Sequence, residues 1–156
     1  MVVEKGEASS DSGNSKAESD EGSFSARIAG MPLTEKIQLA MKGDKSARAL
    51  LIRDSNKVVQ VAVISNGRLT EDEVASFANY KSLDGEVLRK IAGRKDWLKV
   101  HEIRAALVKN PKTPTALALK MLPTLLPREL KMIAKNKQAP PVIATAAGRF
   151  LATKKA

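Results

Sequence analysis

Few residues in this chain are of the types that carry out chemistry. It has one histidine, His101, and no cysteine. The absence of cysteine removes disulfides, thiolate nucleophiles, cysteine-ligated zinc and iron–sulfur clusters together. Nucleophilic catalysis needs a hydroxyl or thiol beside a base that a third group orients. His101, followed by Glu102 at the opening of a helix, shows no such company in the sequence and reads as a solvent-exposed or capping histidine. The acidic run Glu71, Asp72 and Glu73 has the carboxylates that acid–base work requires. All three fall in the first turn of a helix, however, where the helix dipole favours negative charge. His, Asp and Glu are not grouped at metal-ligand spacing, and the nine glycines are scattered singly, so no phosphate-cradling loop is formed. The residues point to a non-enzymatic protein with no cofactor and no metal.

The basic residues are the other chemically distinctive group, and their distribution says more than the net charge of +10. Residues 1–30 hold three basic and six acidic side chains, and residues 31–86 hold eight of each. Residues 87–156 hold sixteen basic side chains against Asp96, Glu102 and Glu129. Arg89, Lys90, Arg94, Lys95 and Lys99 cluster around one helix and the loop after it, and Lys131, Lys135 and Lys137 take similar places further on. If the helices stack in register, these eight side chains form a positive stripe. A solvated charged face is the plainer alternative, against which stands the scarcity of acidic partners in that half.

The elements that must carry these residues are helices. Aromatics make up only 3% of the chain, so a core has to be built from Ala, Val, Leu, Ile and Met, which suit closely stacked helices. Apolar periodicity runs from about Leu33 to Leu151, and Pro111, Pro114, Pro123, Pro127, Pro140 and Pro141 all fall at plausible helix boundaries. Thr70 with Glu73 reads as a capping box opening a helix that buries Val74, Phe77 and Ala78. A further helix is expected to start near Lys95–Asp96, with Trp97 stapling it and Tyr80 serving similarly at an edge. Residues 1–30 form an acidic tail rich in Ser and Gly, too poor in aliphatic residues to offset ordering entropy, and are expected to be disordered. The folded domain is expected over 31–156.

Val58–Ile64 is β-branched and would read as a strand in isolation. Internal comparison decides for a helix. A shift of 44 residues places Gln60–Asn66 on Arg104–Asn110, which has helical composition, and Arg48–Asp54 repeats the pattern again. A second pattern links Leu88–Ala92 with Leu130–Ala134. Alternating short helices in such units indicate a short right-handed α-solenoid of stacked helix–turn–helix repeats.

The stretch His101–Met121, with Asn110-Pro111-Lys112-Thr113-Pro114 between two short helices, resembles the leucine-rich repeat variant and HEAT-like helical-repeat family of bacteria. Ser65–Thr70 is a degraded copy of that turn. The resemblance spans about 100 residues and implies an architecture. Some relatives hold a cysteine-ligated iron–sulfur cluster, which this chain cannot do. In such a turn Asn66 and Asn110 are expected to be left-handed helix caps, with proline blocking continuation.

Together these features predict a protein–protein interaction scaffold or adaptor whose basic surface meets an acidic partner protein. Sequence-tolerant binding to a nucleic-acid backbone is the alternative, since lysines without interleaved aromatics neutralise phosphates but do not read bases. Base-flipping enzymes would need more than one Trp and one Tyr to stack on. Anionic membrane surfaces are disfavoured because no helix has an aromatic-rich face. With no leader-like N-terminus and no long apolar run, a cytoplasmic location is expected.

Overall fold

The computed structural model of the chain describes residues 22–155, and among these there is no strand. The described polypeptide divides into two units, with the boundary between Pro32 and Leu33. In the first unit, residues 22–29 form a helix, α1. This corrects the expectation of disorder up to residue 30. Phe24 and Arg27 stand three residues apart on the helix, with the guanidinium 5.8 Å from the ring centroid, a local pair that favours the helical turn. The remainder of the expected tail, residues 1–21, lies outside the described residues.

The second unit runs α2 (Leu33–Lys42), α3 (Lys45–Leu51), α4 (Lys57–Ile64), α5 (Glu71–Ala78), α6 (Gly85–Ala92), α7 (Lys95–Leu98), α8 (His101–Lys109), α9 (Thr115–Met121), the 3-10 turn Leu122–Thr124, α10 (Pro127–Lys135) and α11 (Pro141–Lys155). Val58–Ile64 is helical, as the internal comparison requires. Proline marks the boundaries by losing no hydrogen bond there: Pro114 is the N-cap of α9, while Pro127 and Pro141 are the first residues of α10 and α11. The Thr70–Glu73 capping box is formed in both directions, and α5 behind it buries Val74, Phe77 and Ala78.

Helices this short cannot bury a face alone. Neighbours therefore supply it: α2 packs on α4, α4 on α6, α5 and α6 on α8, α9 on α11, and α10 lies along α11. The buried side chains are almost all aliphatic, among them Leu51, Ile52, Val59, Leu83, Leu88, Ile91, Ile103, Leu107, Leu122, Leu125 and Leu130. Phe77 and Trp97 are the aromatic members of this core. On α11, Ile143 and Ala147 are buried, whereas a Cβ at Gly148 would meet nothing within 4 Å, so close packing does not require that glycine.

Buried polar side chains tie one turn to the next. Asn66 donates through Nδ2 to the Ala40 and Gly43 carbonyls at 2.9 and 3.3 Å, and its Oδ1 accepts from the Arg68 amide. Asn110 does the same with the Ala78 and Tyr80 carbonyls at 2.8 and 2.9 Å, and accepts from the Lys112 amide. This corrects the expectation of left-handed caps, because no non-glycine residue has a positive φ among the described residues and Asn110 sits at φ −76°, ψ 120°. The asparagine is needed for its side-chain amide, which has donors and an acceptor where an orphan carbonyl would otherwise be buried.

Three other side chains make bonds of one kind. Arg48, Gln60 and Arg104 each donate to a carbonyl just upstream of their own helix, those of Gly43, Asp54 and Leu98 respectively. Gly43 itself admits no side chain. An added Cβ would collide with the Leu39 carbonyl oxygen and lie 2.7 Å from the Ala47 Cβ.

Candidate functional site

The eight basic residues singled out in the sequence are all exposed. Arg89 and Lys90 occupy the last turn of α6, Arg94, Lys95 and Lys99 surround the single turn of α7, and Lys131, Lys135 and Lys137 lie on α10 and the turn after it. No ion pair engages Arg89, Lys90, Lys95, Lys99, Lys131, Lys135 or Lys137 among the described residues. Arg94 differs. It clasps Asp96 with Nε and Nη2 at 2.9 and 2.8 Å and covers the buried Trp97 ring at 4.0 Å, so its role is to fasten α7. The structure brings together the α6–α7 group and, separately, the α10 group, and no hydrogen bond joins the two among the described residues.

Asp96 and Glu129, two of the three carboxylates in residues 87–156, have internal partners. Glu129 reaches back from the third position of α10 to accept from the Leu126 amide at 2.9 Å, and it meets Nε2 of His101 at 2.9 and 3.0 Å. Burial pushes the Glu129 carboxyl up, but the Leu126 amide, His101 and Lys109 outweigh that and hold it below the usual carboxylate range. His101 is therefore neither free in solvent nor a cap beside Glu102: its partner lies 28 residues away. On its other side, Nδ1 of His101 lies 3.4 Å from Arg104 Nη2.

A groove of about 430 Å³ lies beside this pair, lined by residues of α5, α8 and α10 that include Asp72, Ser76, Glu102 and Lys109. Carboxylates dominate its charge. A second recess of about 490 Å³ opens among the turns and is lined by Arg53, Asn79, Tyr80, Lys81 and Ser82, with no carboxylate. The sequence reading missed it. Arg53 and Lys81 lie in different turns of the electrically balanced segment 31–86, so only tertiary proximity reveals them as one feature.

The other hidden feature is a buried ion pair. Arg48 Nε donates to Glu73 Oε1 at 3.0 Å and Nη2 to Oε2 at 3.3 Å, with both side chains about 5% exposed. Burial raises the Glu73 pKa, yet the Thr70 amide and Arg48 outweigh it and depress the carboxyl below its ordinary value. The first-turn placement of Glu71–Glu73 read from the sequence holds, and Glu73 has this second task.

Among the described residues, no group of three His, Cys, Asp or Glu side chains could hold a metal ion, and no helix is long and apolar enough to cross a membrane. No family model, curated protein or solved structure matches the chain.

Proposed function

We propose that this protein is a non-enzymatic docking module, a short right-handed solenoid of the leucine-rich repeat variant or HEAT-like kind whose basic surface binds an acidic partner protein. The serial packing of short helices and the repeated asparagine clamps support the architecture. One observation carries the function. Residues 87–156 hold three carboxylates against sixteen basic residues, and Asp96 is already paired with Arg94, so only Glu102 and Glu129 stand opposed to the exposed lysines. Such a one-signed surface attracts a partner of opposite charge over a Debye length and discourages like-charged ones.

Arg89 and Lys90 on α6, Lys95 and Lys99 around α7, and Lys131, Lys135 and Lys137 at α10 are the proposed contact residues. Arg94 contributes by holding α7. A cytoplasmic site of action belongs to the same proposal.

Nucleic acid is the second reading, favoured by the preponderance of exposed lysines over aromatics. Trp97, the one tryptophan, is buried, so binding would be to phosphates and tolerant of sequence. Fluorescence anisotropy of the full chain with a labelled polyglutamate peptide, random duplex DNA and single-stranded RNA, at about 50 and 200 mM salt, separates the two. Peptide binding that disappears on reversing charge at Arg89, Lys90, Lys131 and Lys135 supports the docking module. Far tighter binding of DNA or RNA, with a steep loss at the higher salt, moves the assignment to nucleic acid, and no binding at low salt overturns both.

A further inference from the structure

We propose that the recess between the turns after α3 and α5 is a binding site for a phosphomonoester dianion, such as a phosphorylated side chain. Its lining shares no residue with the basic helix surfaces, and it goes beyond the docking function. The recess is lined by Arg53, Asn79, Tyr80, Lys81 and Ser82, and its ionisable cations are unopposed by any lining carboxylate.

The hydrogen-bond and ring partners of the two cations are neutral. The Arg53 guanidinium lies 4.9 Å over the Tyr80 ring and donates to the Tyr80 hydroxyl at 3.4 Å. Lys81 Nζ donates to Gln138 Oε1 at 3.0 Å. An aromatic face or an amide oxygen orients a cation without cancelling its charge. Some other cations of the same unit do meet a carboxylate, as Lys36 meets Asp54 and Arg94 meets Asp96. The recess thus presents two positive charges to one space, which a single carboxylate would match only by half. A phosphomonoester carries about −1.5 to −2 charges at neutral pH and has several acceptor oxygens for the planar guanidinium fork and nearby hydroxyls.

The floor of the recess is built before any ligand arrives. Residues 78–84 are pinned from beneath by two buried amides. Asn110 holds the Ala78 and Tyr80 carbonyls. Gln60, itself 2% exposed, donates to the Ser82 carbonyl at 3.4 Å and accepts from the Asp84 amide at 3.0 Å. A turn fixed on both sides loses little further freedom when an anion binds, which is what gives a small ligand useful affinity. Gln60 and Asn110 are positioning residues for the site, and Arg53, Lys81 and the Tyr80 and Ser82 hydroxyls are its donors.

The test uses the full chain and a short labelled peptide that is uncharged apart from one phosphoserine, followed by anisotropy. Saturable binding is expected, with the aspartate version at least about tenfold weaker and the serine version silent. Arg53→Gln and Lys81→Gln should each weaken binding about tenfold, the loss of one charge-assisted hydrogen bond. Reversing charge at Arg89, Lys90, Lys131 and Lys135 should leave it unchanged, which separates this site from the docking surface. Lys81 is exposed and Arg53→Lys keeps the charge, so at least one variant reads the site in a folded protein. Inorganic phosphate that displaces the peptide at equal concentration assigns recognition to the phosphate alone, and displacement only at much higher concentration shows that the peptide contributes. Equal affinity for the aspartate peptide, or indifference to both Arg53→Gln and Lys81→Gln, would overturn the proposal.

Discussion

The unit contains the same clamp twice, in different surroundings. In each copy a glutamate at the third position of a helix accepts from the amide of its own N-cap residue, Thr70 or Leu126, and also meets a basic side chain from an earlier helix. At α5 the partner is Arg48, always charged and about as buried as Glu73 itself. At α10 the partner is His101, whose side chain is 35% exposed against 14% for Glu129. Two charges removed from water depend on each other far more than a pair that solvent still reaches. The first clamp therefore belongs to the core and the second to a surface groove.

The largest effect should come from breaking the buried clamp. Glu73→Gln preserves an oxygen for the Thr70 amide but leaves the Arg48 charge buried without its counterpart, at a cost of about 3–5 kcal/mol in urea unfolding. A loss below about 1 kcal/mol would mean that water reaches Arg48 and that the two clamps are alike.

Acid sharpens the same contrast. Both carboxyls are depressed in the folded state, so the unfolded chain takes up protons first as pH falls. Their stabilisation is complete above the unfolded glutamate value and is lost as pH drops through the folded value. Unfolding measured between about pH 3 and 6 should show this decline, and Glu73→Gln should flatten it more than Glu129→Gln does. An equal flattening by both substitutions contradicts the difference in burial.

The asparagine clamps rank next. Asn110→Ala removes the side-chain donor from the Ala78 and Tyr80 carbonyls, of which Tyr80 keeps the Leu83 amide, and Asn66→Ala removes it from those of Ala40 and Gly43, of which Gly43 keeps Arg48, so each should cost about 1–3 kcal/mol. Near-identical losses at the two sites would support true repeat equivalence. The smallest effect is expected from Glu129→Gln, about 1 kcal/mol or less at neutral pH, because solvent can replace much of what His101 supplies.

Much of the fold was readable in sequence. The Thr70–Glu73 box is written in four residues, and the prolines delimit α9, α10 and α11 because their geometry acts within one turn of chain. The match of Gln60 to Arg104 settled α4 against its strand-like composition, and the two side chains do occupy equivalent places, each bonded to the carbonyl six residues before it. Aromatic poverty correctly implied an aliphatic helical core. Composition misjudged residues 22–29, where the mean over a polar tail hid about two helical turns around Phe24 and Arg27. Asn110 does cap α8, but the left-handed conformation expected at Asn66 and Asn110 was wrong for a different reason: an asparagine before a turn looks the same whether its backbone or its side-chain amide is needed.

Local chemistry thus determined where helices begin and end, which faces are apolar, and how unevenly the charge is spread, since each of these depends on residues within a few positions of one another. Tertiary structure decided the partners of the charged and polar groups. Arg48 and Glu73 stand 25 residues apart and His101 and Glu129 stand 28 apart, Arg53 and Lys81 lie in turns with two helices between them, and nothing in the spacing of either member names the other. Burial, and the distances that only packing sets, make the first pair part of the core, the second part of a groove, and the third a recess with two charges and no counter-ion.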